Sequence, residues 1–223
     1  SVRLHKGAPQ RLYEECAKIL RKGSGEPALY NDEVVIDGLT KMGIPLEDAR
    51  DYSNDGCWEV LIPGRSYFSY AHLELLQMLE YLLQHGMSLA RGRQENVDMG
   101  DPDQYKTFDA FYQALMQLVD NQVERILRNK VEYYHNRSKI APSPLLSSMM
   151  HDCVEKGMDL SLDGCKYNLY SFIVTGIANF TDSMLAIKRL VFEENRLTLG
   201  RVAELCRTNF AGEEALRQEI INK

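Results

Sequence analysis

Gly56-Cys57-Trp58-Glu59 sets a thiol and a carboxylate two positions apart, directly after a glycine. Cysteine is the side chain best suited to nucleophilic or one-electron chemistry, and a nearby carboxylate can move a proton. Cys57 and Glu59 could therefore perform two halves of one reaction. Hydrogen abstraction by sulfur needs van der Waals contact with a C–H bond in a dry pocket, whereas a base must reach its proton at about 2.6–3.2 Å. On an extended segment, residues two apart point to the same side, which would turn both groups toward one substrate. The alternative for these residues taken alone is a cysteine packed as a small hydrophobe beside a surface glutamate.

The elements that must position this run are mostly helical by periodicity. Residues 47–52 make one expected helical turn, and Asn54-Asp55-Gly56 is a turn signal that delivers Cys57 onto a loop or a short strand. Upstream, Leu12, Cys16, Ile19 and Leu20 predict a helix over 10–21. A second follows over 32–42, with Val35, Ile36 and Leu39 inward and Gly43 as its stop. Downstream, residues 71–86 read as a buried helix, apolar on nearly every side. Residues 91–104 read as a surface excursion and 108–134 as an amphipathic helix. Residues 145–156 read as a helix closed by Gly157, and 161–168 as a turn and a strand. The stretch 173–194 reads as a long apolar helix in which Gly176 and Ala178 allow close packing. Helices over 198–208 and 213–221 complete the pattern, with no clear domain boundary.

The 223 residues, 44% hydrophobic, suffice for a real core. A formal charge of −6 argues against a nucleic-acid surface. Arg125, Arg128, Lys130 and Arg137 are interleaved with Glu124 and Glu132, as on a solvated face. Five cysteines without a C-x-x-C pair fit neither a disulfide framework nor a zinc site, and point to a reducing compartment. With no signal-peptide layout and no membrane-length apolar run, a cytoplasmic protein without a membrane partner is expected.

The wider run Glu47-Asp48-Ala49-Arg50-Asp51-Tyr52 through Glu59 resembles the active-site loop of the glycyl radical enzymes, the family of pyruvate formate-lyase and the radical dehydratases and decarboxylases. The resemblance extends over nearly the whole chain. It includes Val2-Arg3-Leu4-His5, Gly25-Glu26-Pro27, Asn31-Asp32, Pro63-Gly64, Pro144 with Ser147, and Tyr167-Asn168. It continues through Asn179 to Ser183, Ala186 to Phe192, and Asn209-Phe210. It implies an α/β, predominantly helical fold, with short, mainly parallel strands forming part of a ten-stranded β/α barrel. Cys57 would become the thiyl radical on a loop inside that barrel, and Glu59 the base that deprotonates the adjacent hydroxyl or carboxylate.

Gly56 stands where pyruvate formate-lyase has the first of two adjacent cysteines, which disfavours a formate acetyltransferase. Glu59 disfavours the arylsuccinate synthases. Radical dehydratases, decarboxylases and lyases that break C–O, C–N or C–C bonds share the Gly-Cys-x-Glu form. Diol- and choline-type members follow the glutamate with Trp-His-Asp, but Phe68-Ser69-Tyr70-Ala71 stands here, and Ala71 has no carboxylate. His72 is a candidate acid in its place, and Trp58 and Tyr70 are candidates to line the substrate pocket. Asn31-Asp32 reads as a helix N-cap, Asp182-Ser183 as polar groups satisfied locally, and Cys165 as packing.

The family's Arg-Val-x-Gly-Tyr radical loop does not occur within the 223 residues. The chain is therefore expected to be a single internal segment, 1–223, lacking the N-terminal part and the glycine radical domain, inactive in isolation and binding no cofactor itself. The glycyl radical would reside elsewhere in the enzyme, installed by a radical S-adenosylmethionine activating enzyme. A small-molecule substrate is implied, and a homodimer is left open. The rival expectation is a catalytically empty helical scaffold derived from the family.

Overall fold

The computed structural model describes residues 1–23, 25–56 and 58–221. In chain order the elements are β1 (Val2–Leu4), α1 (Gln10–Leu20), β2 (Leu29–Asn31), α2 (Asp32–Lys41), α3 (Leu46–Arg50), β3 (Ser53–Asp55), β4 (Glu59–Leu61), β5 (Ser66–Glu74), α4 (Leu75–Leu83), β6 (Met87–Ser88), β7 (Arg93–Gln94), α5 (Phe108–Ile140), α6 (Pro144–Ser147), α7 (Cys153–Lys156), β8 (Tyr167–Thr175), α8 (Ile177–Ile187), α9 (Leu199–Arg207) and α10 (Glu214–Ile221). Single 3₁₀ turns lie at Pro102–Gln104 and Leu160–Leu162, and α8 runs on as a π-helical stretch, Lys188–Glu193. The fold is mixed α/β and about half helical.

Two compact units divide the chain. One is Ser1–Ala71 with Glu132–Ile173, and the other is His72–Val131 with Val174–Lys223. In the first, β1 pairs in parallel with β2, Val2 opposite Leu29 and Leu4 opposite Asn31. The Asn31 side chain then caps α2 by accepting from the Val34 N–H, with Asp32 and Glu33 in the first turn where the helix dipole favours acids. Leu39 turns inward from α2 onto Tyr30, Ile44, Ala49, Tyr52 and Ile62, with Val35 and Ile36 partly buried beside them. Val60 of β4 packs against the same cluster. In the second unit, Met78, Leu79, Leu82 and Leu83 of α4 are buried, as are Phe111, Leu115 and Leu118 of α5 at the spacing of one helix face.

Several expectations need correction. The helix placed over 71–86 begins only at Leu75, because Ala71 to Glu74 finish strand β5, and His72 is on that strand rather than at a helix start. An unbroken apolar run does not separate a buried strand from a buried helix. For the same reason the helix placed over 173–194 starts at Ile177. Gly176, at φ 73°, is its left-handed N-cap and not an interior packing residue. The helix placed over 145–156 is two short turns, α6 and α7, separated where Asp152 takes φ 76°. The strands are not mainly parallel among the pairs of known direction. β1–β2 is parallel, but β3–β4 and β6–β7 are antiparallel, as connections of a few residues require.

Candidate active site

β3 and β4 form a hairpin in which Ser53 opposes Leu61 and Asp55 opposes Glu59. That register leaves residues 56–58 as the connection. Gly56 has φ 55°, in the left-handed region that side chains disfavour, and a Cβ built there would stand 3.2 Å from Glu59 Oε2. The glycine thus serves both the turn and the space for the carboxylate. Glu59 is 5% exposed, and its Oε2 accepts the Trp58 backbone N–H at 2.9 Å. A carboxylate folded back over the connection is a group with a defined direction, as acid–base work requires. Cys57 lies outside the described residues.

The other candidates are more dispersed. Trp58 is half exposed, its ring 5.6 Å from that of the buried Tyr30 on β2, so it packs on the unit's own core. Tyr70 is exposed on β5 of the same unit, and His72 is exposed further along that strand, within the second unit. The hairpin connection thus brings Trp58 and Glu59 together.

Two networks hold the hairpin, neither of them assigned a role by the sequence reading. Before it, Asp48 of α3 is 2% exposed. Its Oδ1 accepts from the Arg65 guanidinium, and its Oδ2 from Lys166 Nζ at 2.7 Å and from the Tyr167 hydroxyl. Arg65 follows β4, so the Asp48–Arg65 pair closes the base of the hairpin. Lys166 and Tyr167 tie that base to the start of β8. The Lys166 and Tyr167 hydrogen bonds hold the Asp48 carboxyl below its usual range, and Asp48 raises Lys166 in turn. A buried carboxylate is tolerable on those terms, since both oxygens meet donors.

Immediately ahead of β3, Arg3 grips Asp32 through two nitrogens, at 2.8 and 3.0 Å, and donates to the Tyr52 carbonyl at 2.7 Å. The Tyr52 hydroxyl returns to Asp32 Oδ1 at 2.6 Å, and the guanidinium lies over the Tyr52 ring, 3.8 Å from its centre. The Arg3 bonds hold the Asp32 carboxyl low, and burial followed by Asp32 pushes the Tyr52 phenol up. Asn31 is the cap, as expected of the pair, but Asp32 serves this second network.

A family model described as pyruvate formate lyase-like matches residues 1–223. The chain belongs to that family. It is 33% identical to the (2S)-3-sulfopropanediol dehydratase of Klebsiella oxytoca over 96% of its own length and 26% of that protein's. It is 31% identical to the isethionate sulfite-lyase of Oleidesulfovibrio alaskensis over 99% of this chain and 27% of the relative. Among solved structures, a glycyl radical enzyme from Archaeoglobus fulgidus superposes with a TM-score of 0.78 at 30% identity, covering 97% of this chain and 28% of that one. The chain spans about a quarter of the length of these relatives.

Within this pyruvate formate lyase-like chain, the approach of Glu59 to Gly56 was legible because the two are close in sequence. Asp48 and Lys166 are 118 positions apart, and nothing in their spacing pointed to the pair. Among the described residues, no group of three His, Cys, Asp or Glu side chains is arranged to hold a metal ion. No helix among them is long and apolar enough to cross a membrane.

Proposed function

We propose that this chain is the substrate-cysteine segment of a glycyl radical enzyme that acts as a dehydratase or lyase on a small hydroxylated molecule. The observation that carries the reading is the buried Glu59 carboxylate, folded over the connection that contains Cys57, with Gly56 leaving the room for it. The relatives named above supply the reaction class. The glycyl radical of the full-length enzyme, installed by a radical S-adenosylmethionine activating enzyme, supplies the oxidising capacity to the thiol.

Cys57 then takes a hydrogen atom from a substrate C–H bond, so that S–H forms as C–H breaks. Glu59 accepts the proton of the neighbouring hydroxyl while the leaving group departs, and the product radical recovers its hydrogen from the Cys57 thiol. The remaining elements of the reading are a place in the full enzyme's barrel and a reducing, cytoplasmic compartment. Cys16, Cys153, Cys165 and Cys206 are all free thiols, in keeping with that compartment.

The test uses the full-length enzyme, activated anaerobically and offered (2S)-3-sulfopropanediol and isethionate as probes. Cys57→Ser should abolish turnover while the glycyl radical still forms by electron-spin resonance, because an O–H bond is too strong for that radical to break usefully. Turnover surviving in Cys57→Ser would refute the thiol relay.

A further inference from the structure

Cys153, the first residue of α7, and Cys165, in the loop that leads into β8, have sulfurs 3.8 Å apart and are each 2% exposed. Their approach is built in from both sides. A Cβ at Gly164 would stand 2.8 Å from Cys153 Sγ and 2.4 Å from the Met158 carbonyl oxygen, so glycine alone lets the backbone before Cys165 press against that thiol. Lys156, at the end of α7, donates to the carbonyls of Asp163 and Cys165 at 3.3 and 3.1 Å and holds the two segments in register. A cavity of about 350 Å³, lined by Pro142, Pro144, Ser148 and Val154 among others, is also lined by Cys153.

We propose that Cys153 and Cys165 form a dithiol modification site that closes to an intramolecular disulfide by exchange with a small disulfide such as oxidised glutathione. Cys153 meets the oxidant and Cys165 resolves the adduct. In the first step the Cys153 sulfur, having given up its proton, attacks one sulfur of the small disulfide. A protein–glutathione bond forms, the glutathione S–S bond breaks, and one glutathione leaves and takes up a proton. In the second step Cys165 loses its proton and attacks Cys153 Sγ, expelling the second glutathione, which is protonated in turn. The dithiol is oxidised by two electrons and one oxidised glutathione becomes two reduced ones. The sulfurs must close from 3.8 Å to about 2.0 Å. Burial, with Cys153 as the next cause, pushes the Cys165 thiol up to about 12, which keeps it protonated and disfavours it as the first attacker; its later attack relies on the 3.8 Å approach of the two sulfurs.

The test treats the folded, reduced full-length protein with oxidised glutathione, alkylates the remaining thiols and digests with trypsin. Cleavage after Lys139, Lys156 and Lys166 places the two cysteines on separate peptides, 140–156 and 157–166. The expected product is those peptides joined, two hydrogens lighter than their sum. Cys165→Ser should stop at a stable glutathione adduct on Cys153, and Cys153→Ser should leave Cys165 unmodified. Cysteine-to-alanine variants replace any serine variant that no longer melts cooperatively. Two separately alkylated peptides, a bond to Cys16 or Cys206 instead, or glutathione on Cys165 in Cys153→Ser would each overturn the proposal.

Discussion

Gly56 and Glu59 constrain one another within a single turn. The backbone at 56 has φ 55°, and the space its missing side chain leaves is bounded by Glu59 Oε2 at 3.2 Å. Gly56→Ala should therefore destabilise the fold by about 1–2 kcal/mol through left-handed strain, and displace the carboxylate by a few tenths of an ångström. Urea melts should show the first effect and a fall in turnover of the activated enzyme the second. Glu59→Gln separates the two roles, because it keeps size and burial while removing the base. In the full-length enzyme it should retain thiol-dependent hydrogen exchange with the substrate while slowing bond cleavage by roughly 10²–10⁴-fold, the contribution of a positioned acid–base group. Turnover within a few fold of wild type would make the carboxylate structural.

At the scale of elements, the hairpin is held from outside. Arg3 on β1, Asp32 at the start of α2 and Tyr52 before β3 form a closed circuit of hydrogen bonds, so that a strand near the N-terminus and a helix start fix where the hairpin begins. Tyr52→Phe removes only the 2.6 Å bond to Asp32 and leaves the ring against Arg3 and Tyr30. The expected cost is about 1–2 kcal/mol, as for a partly exposed hydrogen bond to a charged group. Amides of β3 and β4 should exchange faster with solvent. Unchanged protection there would show that the circuit stabilises α2 without reaching the hairpin.

The helices were legible where periodicity and punctuation agreed. α1 and α2 fall within a residue or two of their expected bounds, as does α9, with Thr198 capping it through the Arg201 N–H. The last residues of β5 and β8 were absorbed into the helices that follow because the strand ends, at Glu74 and Gly176, are backbone conformations with no hydrophobic signature. The Asp48 and Asp32 networks were hidden for another reason. Their members are ordinary charged residues whose partners are chosen by the fold, and spacing along the chain carries no trace of that choice.

Over the whole molecule, the first unit carries buried and half-buried carboxylates that folding has made more acidic. Asp32, Asp48 and Asp159 are all held below the usual range, the first two by cationic partners. For Asp159, burial alone would raise the carboxyl. The bonds it accepts from Ser161 N at 2.9 Å, Ser161 Oγ at 2.6 Å, Ser143 N at 2.7 Å and Ser147 Oγ at 3.0 Å outweigh that and bring it to about 2. A carboxyl lowered on folding stabilises fully above its unfolded value, near 3.9, and the contribution is lost as pH falls through the folded value. Stability of this unit should accordingly decline between about pH 4 and pH 2. Asp159→Asn isolates the largest single share. At pH 7 it should lower unfolding free energy by on the order of 1–2 kcal/mol, after allowance for solvent screening, and the gap to wild type should narrow steadily below pH 4. Urea titrations at pH 7, 4 and 2.5 measure that gap directly. A gap that stayed constant across the three would mean that Asp159 takes up its proton alike in the folded and unfolded chain, and that the acid sensitivity of the unit rests on Asp32 and Asp48 alone.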